Sequence, residues 1–386
     1  MSVVIDGLLG SSGFSDIAWK IQAIRLVSDI RGQGLEDYVQ ARIVQRQSFV
    51  LRVTGKPVES SQVIEDYFSN LNAPADNPRL NAQHLLLKVS LARSFYERED
   101  FCSASDTLQK LQLPLKRSLP TYELSALRKV MVLKALIEMN KGNYQKAQSQ
   151  LEVAWQTHVD TDDMNGSDMN GSDMSGFDMS GFDVLSYLCD VYCELGWPLT
   201  ALTLLQPTIE VTQVHSRLHL REYRNLVISF AEASVCAALY EQAETVLCQL
   251  KRYFDKTLSN DTMNQQRHLR TLILYAQSHH HQSTDYPQWA ETSKRWEAVV
   301  ALSQKYVVMA ATGMDYAVIR LSMCHVAREL GQHEQSDEHF RVAAGILRAG
   351  GHFWRRGLGT YWLEFLSSRV SCLQGQLLSY RSRNSQ

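Results

Sequence analysis

One spaced pattern recurs along this chain and constrains its fold more than any bulk property does. A small residue is followed by a large or polar one, then a turn, an aromatic, an alanine, and an apolar residue four positions on. The first clear copy is LARSFYEREDFCSASDTLQKL, marked by Ala92, Phe95, Phe101, Ala104, Leu108 and Leu111. The second carries Ala135, Gly142, Tyr144, Ala147, Leu151 and Ala154, and the third Cys189, Tyr192, Gly196, Ala201 and Leu205. A fourth has Ala231, Ala238, Tyr240, Ala243, Leu247 and Leu250. A later copy has Cys324, Ala327, Gly331, His333, Ser336, Phe340 and Ala343. Each copy reads as two antiparallel helices whose axes approach where the small side chains sit. Gly142, Gly196 and Gly331 fall where the first helix should end and left-handed backbone is cheap. Tyr144 and Tyr240 fall where a ring fills the space between one hairpin and the next. No single hairpin buries its apolar face alone, so neighbours must stack.

The pattern resembles the tetratricopeptide (TPR) repeat, a helix–turn–helix unit of about 34 residues. That resemblance implies an all-α fold: a right-handed α-solenoid of TPR-like helical hairpins with a C-terminal capping helix. The spacing agrees. Ala104 to Ala147 is 43 residues, Ala147 to Ala201 is 54, and Ala201 to Ala243 is 42. The longest interval holds four pentads, DMNGS, DMNGS, DMSGF and DMSGF, at 163–182, and removing those 20 residues leaves 34. The pentads read as an acidic loop inserted between two helices. They do not fit a calcium loop, which places its acidic ligands at alternate positions before the glycine.

The rest of the chain is also helical in period. Ser15 or Asp16 is suited to cap a helix with Ile17, Ile21, Ile24 and Val27 on one face, ending at Gly32. A second helix is expected over Leu35–Val53, a break at Thr54–Pro57, and a loop at 72–79. The expected organisation is an N-terminal helical segment at 1–75 and TPR-like repeats at 80–160. An acidic low-complexity loop follows at 161–183, then further repeats at 184–348. Within those, 268–308 reads as a degraded repeat with a loop around HHHQSTDYPQ. A capping helix at 349–378 and a disordered tail at 379–386 complete the expectation.

Composition narrows the function classes. The chain has 39 Lys+Arg against 41 Asp+Glu, a net charge of −2, and so lacks the basic excess of a duplex-binding protein. Eight prolines and 20 glycines are too few for a turn-rich β-sandwich. No uncharged apolar stretch of about 18 residues occurs, and the N-terminus carries Asp6 without a basic n-region, so neither a transmembrane helix nor a secretory signal is expected. Seven cysteines without a C-x-x-C pair read as free thiols in a reducing compartment, nucleus or cytoplasm.

Signals for chemistry are few. TGKP at 54–57 lacks the upstream glycine and the Ser/Thr of a phosphate-binding loop. GLLGSSG at 7–13 follows no strand and reads as a flexible terminus. His279, His280 and His281 are consecutive, so a helix would point them three ways, and a solvated loop is the expectation. HEQSDEH at 333–339 has its histidines six apart rather than in HExxH spacing, and His333 occupies a repeat position where packing is expected. Cys189 and Cys193 share a helical face, and Cys189 and Cys324 take the small-residue position, which favours a core role over metal binding. Arg355, Arg356, Arg381 and Arg383 make a basic C-terminal end that reads as solvated. No catalytic, cofactor-binding or metal-ligating residue is nominated, no cofactor is implied, and an enzyme is not expected. The Lys and Asn clamp by which chaperone-binding TPR proteins grip a C-terminal carboxylate is missing. Its positions are held by Val89, Arg93, Val132, Leu136, Ser186 and Asp190.

From the third repeat on, the order is CELGWPLTALTLL, SFAEASVCAALYEQAETVL, DYPQWAETSKRWEAVVALSQKY, then VARELGQHEQSDEHF. This order resembles the C-terminal TPR region of the subunit 5 family of the anaphase-promoting complex, over about 85–345. The resemblance implies a non-catalytic scaffold joining platform subunits of a ubiquitin ligase that controls mitosis. Its partners would be other protein subunits of a large complex, without nucleic acid, membrane or small-molecule substrate. Family members carry a separate N-terminal domain that 1–75 lacks or replaces. A cohesin-loader-like scaffold, or a signalosome or proteasome-lid relative, remains the alternative.

Overall fold

The computed structural model describes residues 37–71, 78–111, 121–159, 181–209, 214–257, 262–306 and 314–350. The expected helix from Ser15 to Gly32, GLLGSSG, most of the pentads and the capping helix at 349–378 lie outside them, apart from the first two residues of that last span. The described chain is helical, with no strand among the described residues. We name the helices in chain order. They are α1 (Asp37–Val53), α2 (Pro57–Ser69), α3 (Pro78–Glu97), α4 (Phe101–Gln109), α5 (Thr121–Asn140) and α6 (Tyr144–Val159). Then come α7 (Gly181–Glu194), α8 (Pro198–Leu205), the single turn α9 (Val214–Arg217), α10 (Arg221–Cys236) and α11 (Tyr240–Lys256). The series ends with α12 (Thr262–Gln282), α13 (Tyr286–Tyr306), α14 (Met314–Glu329) and α15 (His333–Gly350). Two boundaries depart from expectation. Pro78 and Arg79 open α3 instead of ending a loop, because proline at a helix start loses no hydrogen bond. Gly181 and Phe182, the end of the last pentad, already belong to α7.

Paired helices share one construction. From the small residue of the first helix, the turn residue lies seven positions on, the start of the second helix two more, its small residue three more, and an apolar residue four more. Cys189, Gly196, Pro198, Ala201 and Leu205 follow this register, as do Ala231, Ala238, Tyr240, Ala243 and Leu247. The register also exposes a hairpin that residue-type matching passes over: Ser48, Gly55, Pro57, Ser60 and Ile64 in α1 and α2. Serine stands at both small positions there, and proline replaces the aromatic. The two hydroxyls meet at 2.7 Å, and Ser60 Oγ continues to Ser94 Oγ of the next hairpin at 2.8 Å. In the last hairpin Ser336 Oγ donates to the Cys324 carbonyl at 2.8 Å, across the same twelve residues. Ala92, Ala104, Ala135, Ala147, Ala154, Ala201, Ala231, Ala243 and Ala343 are all fully buried.

Six of the described turns end the first helix with a left-handed residue. That residue is Gly55, Glu99, Gly142, Gly196, Ala238 or Gly331, with φ between 60° and 79°. In the third hairpin type, Trp197 N–H donates to Tyr192 O at 2.8 Å and Gly196 N–H to Cys193 O at 3.0 Å, the paired bonds of a Schellman cap. Leu239 with Ser234, and Gln332 with Ala327, repeat the longer bond at 2.8 Å. Ala238 carries a Cβ in a conformation that costs an L-residue about 1 kcal/mol. Ala238→Gly is therefore expected to stabilise the fold by about 0.5–1 kcal/mol, read as a higher melting temperature. A lowered melting temperature would contradict this description of the turn.

The chain divides into two compact units, one reaching Glu138 and including Gln145–Val184, the other Met139–Tyr144 with Leu185 onward. In the first, α1, α2 and α3 enclose Ala41, Val44, Ile64, Leu80 and Leu87. The same α3 then contributes Val89, Ala92 and Phe95 to a core with Ala104, Leu108, Val130, Leu133 and Ile137. One helix serving two cores is the stacking that lone hairpins require. In the second unit, α12, α13 and α14 enclose Leu269, Ile273, Trp289, Trp296, Val299 and Ile319. This is the degraded repeat. Trp289 replaces the small residue, and the turn uses side chains instead of a left-handed residue. Asp285 Oδ1 accepts from Gln288 N–H at 3.0 Å, while Gln288 Oε1 accepts from Thr284 N–H at 2.7 Å, a reciprocal cap.

Candidate protein-interaction site

Successive first helices of the second unit are cross-linked by polar side chains where apolar contacts would suffice for packing. Ser186 of α7 and Ser229 of α10 meet hydroxyl to hydroxyl at 2.6 Å, and Ser229 also donates to Asp190 Oδ1 at 2.9 Å. Arg267 Nε of α12 donates to Asn225 Oδ1 of α10 at 2.6 Å. Arg224 Nη2 donates to Asn264 Oδ1 at 3.2 Å. Glu232 of α10 forms an ion pair with Arg270 of α12. The result is a wall of hydroxyl, amide, carboxylate and guanidinium groups running across α7, α10 and α12.

The wall holds more acid than base around Arg270. Burial pushes the Asp190 carboxyl up to about 7, Glu232 adds to this, and Arg270 and the Ser229 hydroxyl oppose it. Burial and Glu232 push Glu194 the same way, up to about 7. Glu194 reaches solvent, which screens it, so Asp190 is the group that feels the wall most. A carboxyl raised in the folded state weakens the fold as pH climbs from its unfolded value of about 4 towards its folded value. Asp190→Asn is accordingly expected to gain roughly 1–3 kcal/mol over the native chain at pH 8 and little at pH 4, in melts at both pH values. An equal effect at both would contradict the raised carboxyl.

At the far end of α12 the three consecutive histidines are helical, not in a solvated loop: the cap at Asp285 starts α13 late enough for α12 to continue to Gln282. They do point three ways. His279 Nδ1 meets Thr292 Oγ1 at 2.7 Å, His280 Nε2 meets His325 Nδ1 at 2.7 Å, and His281 stacks on Tyr240 at 5.7 Å. His280 lies between Trp289 and Trp296, and burial pushes it down to about 3, so it is neutral at physiological pH. No group of three His, Cys, Asp or Glu with metal-binding geometry occurs among the described residues.

His333 is exposed at the start of α15 and is not packed as expected. Tyr240 does fill a gap between hairpins, against His281. Cys189 and Cys324 are buried, with Cys189 Sγ 3.7 Å from the Ala201 carbonyl, and burial pushes the Cys189 thiol up. TGKP is a helix–helix turn with Pro57 opening α2. The clamp positions Val89, Val132 and Leu136 are buried, and Arg93 is held by Glu97 at 2.8 Å. Ser186 and Asp190 come together through Ser229, which the sequence reading passed over with Asn225, Glu232, Arg267 and Arg270. The signal available was polar residues recurring 39 and 43 positions apart on helices whose other face is apolar.

No protein-family model and no curated protein matches this chain. Solved structures do. One is a Rap protein complexed with competence and sporulation factor, matched over 80% of this chain and 76% of that one, at TM-score 0.53 and 10% identity. Another is NprR in complex with its cognate peptide NprX, matched over 81% of this chain and 80% of that one, at TM-score 0.54 and 12% identity. The fold is that of the TPR-like helical-repeat proteins. At such identities the likeness is one of backbone path, and side-chain roles are this chain's own. No described helix is long and apolar enough to cross a membrane.

Proposed function

We propose that this chain is a non-catalytic protein-interaction scaffold whose wall on α7, α10 and α12 receives an extended segment of a partner protein. The observation that carries this is the wall itself: the Glu232–Arg270 ion pair reaches solvent on first helices, held beside a hydrogen-bonded group of buried Ser186 and Ser229 with Asp190. Such a surface offers donors and acceptors to a peptide backbone and a charge pattern to its side chains. The Rap and NprR structures, with a factor and a peptide bound, support the same use of the fold. An affinity-tagged chain should recover a stable partner. Glu232→Arg with Arg270→Glu keeps the ion pair inside the wall but inverts its pattern, and should lose that partner without losing helicity. Retained partner with unchanged affinity would count against the wall.

The finer reading is a platform subunit of a ubiquitin ligase resembling the anaphase-promoting complex, acting in nucleus or cytoplasm. It rests on the repeat order over 85–345. Co-purifying ligase platform subunits would support it. Chromatin-loader proteins in their place would move the assignment to the cohesin-loader-like alternative.

A further inference from the structure

The hairpin turns of the second unit lie along one edge, set by contacts between neighbours. Ser186 against Ser229, with Cys193 beside Cys236 at the same offset, aligns α7 beside α10 in the same direction. Ser278 Oγ donates to the Tyr240 carbonyl at 3.3 Å, which sets the end of α12 beside the turn between α10 and α11. His280 and His325 do the same for α12 and α14. On this edge Trp197 is 48% exposed, Leu199 66%, Leu239 42% and Tyr286 65%. Trp197, Leu239 and Tyr286 sit within one position of equivalent places in three successive hairpins, at or beside the start of the second helix.

Within the turn segments the charges have one sign, with Arg328 one residue before the last of them. Glu194, Glu241, Asp285, Glu329 and Glu334 are exposed there, and no Lys or Arg occurs within 194–200, 237–242, 282–288 or 329–335. The turns of the first three hairpins instead carry Lys56, Arg98 and Lys141. Glu241 and Glu334 favour their own helix starts through the helix dipole, a local effect. That effect gives no reason for leaving a tryptophan, two leucines and a tyrosine in water, where burial would recover about 25 cal/mol per Å². Apolar residues repeated on an edge rimmed by one charge are a mark of an interaction surface.

We propose that this edge docks an amphipathic helix of a partner protein whose apolar face is flanked by lysine or arginine. Two features select that occupant. Its basic flank complements an acidic rim free of Lys and Arg in the four turn segments. Its period also fits: packed helices repeat about every 8–10 Å, and seven residues of an α-helix rise about 10.5 Å. Apolar residues at i, i+7 and i+14 therefore meet Trp197 with Leu199, then Leu239, then Tyr286. This surface adjoins the first-helix wall at Glu194, but its apolar residues Trp197, Leu199, Leu239 and Tyr286 take no part in the wall.

The test uses the full chain and two designed amphipathic peptides of about 20 residues. Both carry leucine on one face; one carries lysine on the other face and its counterpart carries glutamate. The lysine peptide should bind, with affinity falling as salt is added. Leu199→Ser with Leu239→Ser should weaken it roughly tenfold or more while the melting temperature holds, since both side chains are exposed. Glu241→Lys with Glu334→Lys should shift preference to the glutamate peptide. Equal binding of the two peptides, no binding of the lysine peptide, or undiminished binding by the serine variant would overturn the proposal. So would capture of the chain by phosphatidylserine vesicles in preference to the lysine peptide.

Discussion

Ala104→Arg is expected to unfold the first unit's second core, at a cost of roughly 4 kcal/mol or more. Ala104 is fully buried where α4 meets α3, among Ala92, Phe95, Val130 and Leu133. Its methyl group is what allows the two axes to approach. An arginine there must either force the helices apart, losing packing on both sides of α3, or carry a guanidinium into an apolar core. Cys102, two residues earlier on the same helix, is exposed, so Cys102→Arg should change stability by no more than about 0.5 kcal/mol. Chemical denaturation of the two variants compares them directly. A tolerated arginine at 104 would mean that the small-residue position is not a crossing point.

Trp296→Ala is expected to cost about 3–5 kcal/mol. The indole is the largest fully buried side chain described, at the centre of the core formed with Leu269, Ile273, Trp289 and Ile319. Its ring nitrogen meets no acceptor among the described residues, so its contribution is volume and not a hydrogen bond. Trp296→Phe should therefore retain most of the stability, and Trp296→His should not. Urea titration followed by circular dichroism ranks the three; a phenylalanine variant as weak as the alanine one would show that the ring nitrogen matters.

Much of the fold is legible in residue types because close helix crossings admit few side chains. Ala147, Ala201 and Ala243 are buried as the pattern requires, and Gly142, Gly196 and Gly331 are left-handed as a hairpin turn requires. The pattern fails where a different residue solves the same problem. Ser48 and Ser60 are small enough to cross and bond each other, so the first hairpin hid behind polar residues. Asp285 and Gln288 cap α13 with side chains, so no glycine announces that turn, and the histidines before it look like loop. The wall was harder to see. Ser229, Glu232 and Arg270 acquire meaning only when α7, α10 and α12 are brought side by side, across separations of 38 to 43 residues.

Residues twelve apart touch where paired helices cross, at Ser48 with Ser60, Cys189 with Ala201, and Cys324 with Ser336. Cys324 and Ser336 meet there in the last hairpin, Sγ to Oγ at 3.3 Å. Ser336→Cys places a second thiol at that crossing, within reach of a disulfide. Mild oxidation of this variant, followed by mass spectrometry of its peptides, should join positions 324 and 336. Recovery of both positions unlinked, while another cysteine pair in the same sample is joined, would contradict the account.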